Sequence, residues 1–529
     1  MNSPANTGVR TALVTESGSP AGRACAEHLA CRGFRIVAVD TDARNLERTA
    51  AVVAASGSDC TPLLMTPSKS NWQDALSSIA RSHGGVDLMV NVVEVPEQKG
   101  LFELTESDCA PVDAHELVAA CRAVAIQWVR EQRSGRIITI LPERAASAGP
   151  ISAGAFAATT MFSECLHLEI RKHGCSSVAV LARSAAPDAI VAALADVDDR
   201  RTPPIRRRSI AAFPVPGFPL RPRRGTPPPR IVVITGAGSG IGRATAKRYA
   251  SAGSTVLVSD IDRAAAENVT DEIRSAGGTA HAYQLDVRDV HAFESFAASV
   301  RRTHGTPDLV VNNAGIAILG EIVDSSPEDW TRVTRINLVG MVHGTRLFGA
   351  QMAEDLVPGH IVNVASAAAF LPMASLASYS ATKAGVRAFT DCAALELSQY
   401  GIRTSVICPG PIATNIFAST AHSGTDAVTR SIATRALFDR AAAWHIIPGA
   451  DFVARAIESA VARDIATVLV RPESYGVYAL RMLTPGVLRN VSGAICNKRN
   501  ITLMYRTART GIAAKILRTG ESPREVSAR

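Results

Sequence analysis

Four polar residues in the second half of the sequence have the types and the spacing that proton transfer to or from a substrate requires. Tyr379 and Lys383 are four residues apart, so a helix would put both side chains on one face. Ser366 comes 13 residues before Tyr379, at the end of a strand-like run, and Asn337 lies further upstream in RINLVG. This set predicts general acid–base catalysis, with Tyr379 as the group that exchanges the proton.

That chemistry requires Tyr379 to be a stronger acid than an ordinary phenol, whose pKa is near ~10. An ammonium group at ~4 Å contributes roughly 4 kcal/mol at an effective dielectric constant of ~20, which corresponds to a pKa lowered by ~3 units. We therefore expect Lys383 to lower the pKa of Tyr379, Ser366 to hydrogen-bond the substrate oxygen, and Asn337 to hold a water that relays protons. The plainer alternatives are a half-buried helix tyrosine, a surface lysine, a helix-capping serine and a structural asparagine.

A glycine-rich segment, Thr235–Gly242 (TGAGSGIG), lies between a strand-like run and a helix-like run. The backbone amides of such a loop can approach a pyrophosphate at the positive end of the helix dipole. Asp260 ends the next strand, 18 residues after Gly242, where it can accept hydrogen bonds from a ribose diol. A 2′-phosphate would be repelled there, so the predicted cofactor is NAD rather than NADP. Arg243 and Arg263 are the nearest cations that could compensate that repulsion.

The same plan occurs twice in the chain. Thr11–Asp40 aligns with Ile231–Asp260 at a constant offset of 220 residues, and Val86–Asn91 echoes Pro307–Asn312. Strand-like runs alternate with Ala-rich helical stretches in both copies, which implies right-handed βαβ crossovers. The predicted fold is α/β, with two tandem Rossmann-like doubly wound parallel sheets.

The first copy has lost the features that carry the chemistry. Glu16 replaces a loop glycine, Pro20 removes an amide donor, and the first tyrosine of the chain is Tyr249. We therefore predict that this copy is inactive, although its remaining glycines and Asp40 leave residual dinucleotide binding open. Alignment of the strands sets Pro142, Ala155 and Thr159 against Ser366, Tyr379 and Lys383.

Taken in order, TGxxxGxG, NNAG, Asn337, Ser366 and YxxxK make residues 230–472 resemble the short-chain dehydrogenase/reductase (SDR) family. The resemblance implies an oxidoreductase that interconverts a secondary alcohol and a ketone, with Asn337, Ser366, Tyr379 and Lys383 as its catalytic tetrad. For Asp286, a turn-capping role is the alternative to a place beside the adenine pocket. The implied cofactor contacts are Gly236, Ser239, Gly240, Ile241, Gly242, Asp260, Asp286, Val287, Asn313, Ala314, Gly315, Tyr379, Lys383, Pro409, Gly410 and Thr414.

The predicted organisation is a degenerate SDR-like domain (1–217), a Pro/Arg-rich linker (218–229), an active domain (230–472) and a C-terminal extension (473–529). The segment Ile416–Ile447 falls where the family carries its substrate lid, and its mixture of apolar residues and arginines predicts an apolar or amphiphilic substrate. Family members pair through the helices after the fourth and fifth strands. The first copy is therefore expected to form an internal pseudo-dimer, with a homo-oligomer as the alternative.

Composition limits the remaining possibilities. With 529 residues, 47% of them hydrophobic and 20% charged, the chain is neither disordered nor collagen-like. The ten scattered cysteines include no CxxC pair and no zinc spacing, which predicts reduced thiols, no metal site and a cytoplasmic location. The linker arginines lack interleaved aromatic residues, so no nucleic-acid partner is expected. The basic tail could contact a membrane peripherally or pack on its own domain.

Two other functions remain open on the sequence alone. One is an NADP-dependent ketoreductase, which the acid at position 260 argues against. The other is a regulatory protein that binds a nicotinamide cofactor without turnover, which the complete set of four polar residues argues against.

Overall fold

The structure is a computed structural model of the chain. It describes residues 9–65, 72–93, 99–109, 115–142, 149–184, 186–198, 228–373, 375–412, 421–422, 448–484, 487–488 and 492.

The first copy forms a six-stranded parallel sheet in the order β3-β2-β1-β4-β5-β6. Its central strands are buried on both faces, as expected for the Val- and Ile-rich runs in the sequence. The strands are β1 Thr11–Val14, β2 Arg35–Asp40, β3 Cys60–Leu64, β4 Leu88–Val92, β5 Arg136–Pro142 and β6 Ser176–Ala182. The helices are α1 Pro20–Cys31, α2 Ala43–Ala55, α3 Trp72–His83, α4 His115–Glu131, α5 Pro150–Ile170 and α6 Pro187–Asp198.

The second copy repeats this order and, among the described residues, has one further strand at an edge, giving β15-β13-β12-β10-β7-β8-β9. A separate pair joins β11 to β14. The strands are β7 Ile231–Thr235, β8 Thr255–Asp260, β9 Thr279–Gln284, β10 Leu309–Asn312, β11 Ile318–Leu319, β12 His360–Val364, β13 Arg403–Cys408, β14 Ala421–His422 and β15 Thr467–Leu469. The helices are α7 Gly240–Ser251, α8 Arg263–Ser275, α9 Val290–His304, α10 Pro327–Thr334, α11 Gly340–Glu354, α12 Ala377–Leu397, α13 Ala450–Arg463 and α14 Pro472–Leu483.

The prediction of two tandem doubly wound parallel sheets is confirmed. The duplication extends to single hydrogen bonds at the start of each sheet. Asp87 accepts a hydrogen bond from the amide of Thr11, and Asp308 accepts one from the amide of Ile231, both at 2.8 Å. In each copy, therefore, the residue before the fourth strand anchors the first strand. The sequence also predicts a last strand for the first copy at Ser209–Phe213, and this segment lies outside the described residues.

Packing divides the chain into two compact units that do not coincide with the two copies. Two short segments that precede the linker belong to the unit that contains the second sheet. The first unit comprises Met1–Gln98, Ala114–Ala148 and Thr159–Ile210, and the second comprises Lys99–Asp113, Gly149–Ala158 and Ala211–Arg529. The domain boundaries at 217 and 230 remain a prediction from the sequence.

The core of the second unit includes side chains from those two short segments. Leu101, Leu104, Cys109 and Ile151 are at most 4% exposed and belong to the same apolar cluster as Phe389 of α12. The second unit is therefore built from three separate stretches of sequence.

Polar and close backbone contacts join the same stretches inside the second unit. The amide of Leu101 donates to the Glu396 carboxylate of α12 at 2.6 Å. A Cβ atom added to Gly154 would lie 3.3 Å from the carbonyl oxygen of Gly385, so two helix backbones approach closely there.

The nine cysteines of the described ranges form no disulfide bonds. No group of three or more His, Cys, Asp or Glu side chains in those ranges is arranged to hold a metal ion. None of the described helices is both long and apolar enough to cross a membrane. The basic tail predicted to contact a membrane or pack on its own domain lies outside the described residues.

Candidate active site

The four polar residues singled out in the sequence converge at the carboxyl end of β10 and β12. Tyr379 and Lys383 lie in the first turns of α12 and are 7% and 3% exposed. The Lys383 ammonium nitrogen is 5.8 Å from the centroid of the Tyr379 ring. A Cβ atom added to Gly315 would be 3.2 Å from Asn337 Oδ1 and 3.4 Å from Lys383 Nζ, so those two groups adjoin the same backbone atom. The site is thus compact and largely removed from water.

Ser366 follows β12 and is oriented by the turn that it starts. Its hydroxyl oxygen accepts the amide of Ala368 at 3.2 Å, which caps the single 3₁₀ turn Ala367–Ala369. The same hydroxyl hydrogen-bonds to the Tyr379 phenol. Ser366 is therefore both the capping serine that the sequence allowed and a partner of the tyrosine that is expected to exchange protons.

The expectation that Lys383 lowers the pKa of Tyr379 is wrong for this structure. Burial raises the pKa of Tyr379, because desolvation disfavours the phenolate, and the Ser366 hydrogen bond opposes that effect only in part. The Lys383 ammonium donates to the carbonyl oxygen of Val364 at 2.8 Å and is itself desolvated. Burial lowers the pKa of Lys383 to about 7, so its charge is only partly present at neutral pH.

Replacing Lys383 with Met is expected to stabilise the fold at neutral pH. The unfolded chain keeps the lysine proton up to its ordinary pKa of 10.5, whereas the folded chain releases it near 7. Burial of this lysine therefore costs most below pH 7, and the cost disappears as pH rises toward 10.5. The free energy of unfolding of Lys383→Met should exceed that of the wild type by up to roughly 4 kcal/mol at neutral pH.

Urea unfolding measured between neutral and alkaline pH tests this expectation. The gain should shrink steadily as pH rises. Lys247→Met is the matched control, because Lys247 is exposed and pairs with Glu272 at 3.1 Å. A Lys383→Met protein no more stable than wild type at neutral pH would contradict the buried, proton-releasing lysine.

Asn337 lies in a π-helical turn, Arg335–Val339, between α10 and α11. Its Oδ1 accepts the amide of Ile316 at 2.8 Å, and its Nδ2 donates to the Ile316 carbonyl at 2.9 Å and to Thr382 Oγ1 at 3.3 Å. Both amide hydrogens are thereby used, and the side chain ties the loop after β10 to α12. The water relay assigned to Asn337 from the sequence stays a prediction.

The glycine loop after β7 has the shape that a pyrophosphate requires. Gly236 and Gly240 have φ values of +62° and +54°, a region that side-chain-bearing residues rarely adopt. A Cβ atom at Gly236 would lie 2.8 Å from Ala314 Cα. Ser239 precedes α7 without a side-chain hydrogen bond to the helix, so the first amides of α7 have no side-chain cap. These uncapped amides fit a dinucleotide phosphate.

Asp260 is held beside this loop by two backbone amides. Its Oδ2 accepts the amide of Gly238 at 2.9 Å, and its Oδ1 accepts the amide of Asp262 at 3.0 Å. The carboxylate is therefore fixed at the end of β8, next to the glycine loop, as the ribose-binding role predicts.

Two other residues expected to contact the cofactor, Asn313 and Asp286, form hydrogen bonds within the protein itself. Asn313 donates its side-chain amide to the carbonyls of Thr235 and Gly236, both at 3.0 Å, so this side chain fastens the glycine loop. Asp286 forms an ion pair with Arg288 that lowers the pKa of the carboxyl, and it also accepts the Arg288 amide, as the turn-capping alternative predicted.

Pro409 and Gly410 follow β13 directly, and the Pro409 carbonyl accepts the amide of Ala367 at 2.8 Å. The loop after β13 and the turn that carries Ser366 are thus joined. Thr414, and the predicted lid except for two residues of β14, lie outside the described residues.

Comparison with known proteins agrees with this geometry. A sequence profile described as short chain dehydrogenase matches residues 10–195 and 230–424, once in each copy. The chain belongs to the short-chain dehydrogenase family.

Individual short-chain dehydrogenase relatives cover only part of the chain. The "Probable oxidoreductase EphD" of Mycobacterium tuberculosis (strain ATCC 25618 / H37Rv) is 43% identical over 264 residues, which are 50% of this chain and 44% of that protein. This chain therefore spans less than half the length of that mycobacterial relative. The 2,3-dihydro-2,3-dihydroxybenzoate dehydrogenase of Bacillus subtilis (strain 168) is 36% identical over 187 residues, 35% of this chain and 71% of that protein. A crystal structure of a short chain dehydrogenase/reductase from Burkholderia phymatum in complex with NAD is 30% identical, with a TM-score of 0.45, and covers 49% of this chain and 95% of that chain.

The first copy also has a loop between its first strand and first helix, but a side chain caps the helix at the position where a phosphate would bind. Ser19 caps α1 with its own side chain, accepting the amide of Gly22 at 3.0 Å, and Pro20 begins the helix. Glu16 adopts φ +49° where the second copy has a glycine. In α1, therefore, the Gly22 amide already has a hydrogen-bond partner, and Pro20 has no amide hydrogen to donate. Both differences from α7 give a physical reason for the predicted loss of phosphate binding in the first copy.

Several contributors to the short-chain dehydrogenase site were not found by sequence reasoning. Thr235 Oγ1 accepts the amides of Asn313 and Ala314 at 3.0 and 3.1 Å, and Thr382 receives the Asn337 amide. The position of Thr235 in TGAGSGIG was a usable signal, whereas Thr382 carries none. An apolar cluster also surrounds the tyrosine, formed by Ala317, Ala368, Met373 and Leu376.

Proposed function

We propose that this chain is an NAD-dependent oxidoreductase that interconverts a secondary alcohol and a ketone. The observation that carries the proposal is the cluster of half-buried Ser366 with buried Tyr379 and Lys383, beside a glycine loop whose helix has no side-chain cap. Buried acid–base groups next to an anion-binding loop are what this reaction needs from a protein.

The chain's own residues would handle the proton. Tyr379 would take it from the alcohol or give it to the ketone oxygen, and Ser366 would donate a hydrogen bond to that oxygen as charge develops. The pKa of Tyr379 is raised by burial, so the phenol carries its proton at neutral pH, as proton donation to a ketone oxygen requires. A bound nicotinamide ring would supply or accept the hydride.

The preference for NAD rests on the charges around Asp260. The nearby cations are already paired: Arg243 with Glu272 at 2.6 Å, and Arg263 with Glu267 at 2.8 Å. A 2′-phosphate would meet the Asp260 carboxylate without a cation ready to offset it. One such repulsion amounts to about 1 kcal/mol in bulk water and roughly 4 kcal/mol at an effective dielectric constant of ~20.

Wild-type protein is expected to use NAD at least several-fold better than NADP, measured as kcat/KM. Asp260→Ala should shift this ratio toward NADP, because it removes both the ribose acceptor and the repulsive charge. Asp262→Ala is the matched control: Asp262 caps α8 through the Ala265 amide, so its loss should leave the ratio unchanged. A wild-type preference for NADP would refute the role of Asp260.

An apolar or amphiphilic substrate is supported by the cluster around Tyr379. Met373 and Leu376 are partly buried against that ring together with Ala317 and Ala368. A panel of lipophilic secondary alcohols and ketones, assayed for coupled cofactor turnover, tests the proposed function directly. Tight cofactor binding without turnover of any member would favour the regulatory alternative.

The first copy is proposed to be structural, and the complete chain is expected to bind one equivalent of NAD. The capped helix α1 and the lack of tyrosine before Tyr249 support this. Calorimetric titration of the full chain gives the stoichiometry, and two equivalents per chain would show that the first copy still binds cofactor.

Assembly and location remain proposals. The internal pseudo-dimer is supported by the membership of Lys99–Asp113 and Gly149–Ala158 in the second unit. A cytoplasmic location is supported by the cysteines of the described ranges, which form no disulfide bonds.

A further inference from the structure

One buried ring, Phe370, lies close to both a cation and a second ring. The Arg387 guanidinium carbon lies 5.4 Å from the Phe370 centroid. The Tyr478 ring lies 5.2 Å away at an interplanar angle of 85°, which is an edge-to-face contact. Phe370 is 2% exposed. The stack therefore joins three elements: the turn after β12, helix α12 and helix α14.

Phe370 ends the same 3₁₀ turn that Ser366 begins. Its amide donates to the Ala367 carbonyl at 3.0 Å, and the amide of Ala368 donates to Ser366 Oγ at 3.2 Å. With only three residues between Ser366 and Phe370, a displacement of the Phe370 backbone would be passed to the turn that orients the serine hydroxyl.

Arg387 connects the stack to the helix that carries the acid–base residues. It lies one helical turn after Lys383 and pairs with Asp391, one turn further on, at 2.9 Å. The ion pair fixes the guanidinium on one side of Phe370. The position of the turn relative to α12 is therefore defined through this cation.

Tyr478 comes from a part of the chain with no dinucleotide-binding motif. Helix α14 follows the last strand of the sheet, and the matched short chain dehydrogenase profile ends at residue 424. A second contact reaches the same loop from further along, because the Ser492 hydroxyl donates to the carbonyl of Pro372. Two points of the C-terminal extension thus touch the loop that begins at Ser366.

We propose that Phe370, Arg387 and Tyr478 are positioning residues that keep the Ser366 hydroxyl directed at the Tyr379 phenol, and that the C-terminal extension is thereby a working part of the site. The proposal rests on the proposed function for its catalytic consequence. Its structural consequence, the Ser366–Tyr379 hydrogen bond, does not depend on any substrate.

That hydrogen bond has a measurable signature. It lowers the pKa of Tyr379 against the opposing effects of burial and of Cys408. If the Tyr478 ring is lost and Ser366 swings away, the phenol of Tyr379 should titrate at higher pH.

The experiment compares Tyr478→Phe with Tyr478→Leu, since both lack the second phenol but only the first keeps the ring. Near-ultraviolet absorbance titration follows phenol ionisation, and subtraction of the same variants carrying Tyr379→Phe isolates Tyr379. We expect Tyr379 to titrate at higher pH in Tyr478→Leu than in Tyr478→Phe. In turnover assays, Tyr478→Leu should lose about tenfold or more in kcat with the KM for NAD unchanged, and Tyr478→Phe should retain activity.

Two further variants make the result decisive. Leu480→Ala, at a more exposed position of α14, should change neither the titration nor kcat. In a Ser366→Ala background, Tyr478→Leu should add nothing, because both act through one hydroxyl. Phe370→Leu replaces Tyr478→Leu as the test if the latter does not fold.

Equal titration of Tyr379 in Tyr478→Phe and Tyr478→Leu would overturn the proposal. The titration requires neither substrate nor cofactor. A wild-type protein without turnover would therefore defeat the proposed function while leaving this result interpretable.

Discussion

Tyr379→Phe is expected to lower kcat by about 10³-fold while the Kd for NAD stays nearly unchanged. The substitution removes one oxygen atom, which is the group proposed to exchange the proton, and positioned acid–base groups contribute roughly 10²–10⁴-fold to rate. Tyr379 is 7% exposed within an apolar cluster that phenylalanine can fill equally well. Stability should therefore change little, and steady-state turnover together with calorimetric NAD titration separates the two effects.

Tyr400→Phe provides the matched control for this substitution. Tyr400 lies in the turn that follows α12 and is 51% exposed, far from the acid–base groups in sequence. Its kcat should equal that of the wild type. Activity near the wild-type level in Tyr379→Phe would remove the basis of the proposed mechanism.

Deletion of Met1–Gly217 is expected to abolish the folded second unit, and activity with it. The deletion removes Leu101, Leu104, Cys109 and Ile151 from the core that also contains Phe389 of the catalytic helix. Truncating a single buried Leu or Ile costs about 2–5 kcal/mol, so losing the three such residues costs roughly 6–15 kcal/mol, which is comparable to the whole stability of roughly 5–15 kcal/mol of an ordinary domain. Soluble yield, circular dichroism and turnover of the truncated chain measure the outcome.

Point substitutions in the intact chain show whether the core residues themselves stabilise the second unit, because the first copy is still present in these variants. Leu101→Ala should lower the free energy of unfolding by about 2–5 kcal/mol. Leu64→Ala, at a site 57% exposed in the first sheet, should change it by less than about 0.5 kcal/mol. A truncated chain from residue 218 onward with full activity would show that the three-stretch core is dispensable.

The sequence was sufficient for those features that depend on local order. Strand-like runs, helical stretches and the constant 220-residue offset predict both sheets, because parallel strands with crossover helices leave few alternatives. The i,i+4 spacing of Tyr379 and Lys383 likewise predicts their shared helix face. The damage at Glu16 and Pro20 was visible as residue types, although the replacement cap from Ser19 was not.

Features that depend on packing were beyond sequence reasoning. The direction of the Tyr379 pKa shift depends on the balance between burial, which raises this pKa, and the positive charge of Lys383, which would lower it. Burial also reduces that charge by lowering the pKa of Lys383. Likewise, no pattern in Leu101–Cys109 shows which sheet its side chains will join. The contacts of Phe370 with Arg387 and Tyr478 could not be predicted either, because an edge-to-face contact between rings produces no periodic pattern in the sequence.

The core built from three stretches has a consequence for how this gene can change over time. If the first copy is structural, as proposed, substitutions in its glycine loop, such as Glu16 and Pro20, carry little penalty for the second. Truncating mutations at Leu101 or Ile151 instead remove about 2–5 kcal/mol each from the stability of the second unit. Selection on the activity of the second unit should therefore constrain the first copy unevenly. Its glycine loop should tolerate substitution, whereas Lys99–Asp113 and Gly149–Ala158 should be kept. A single deletion could not remove the N-terminal half of the gene without loss of the second unit, because that half also encodes part of the hydrophobic core of the second unit.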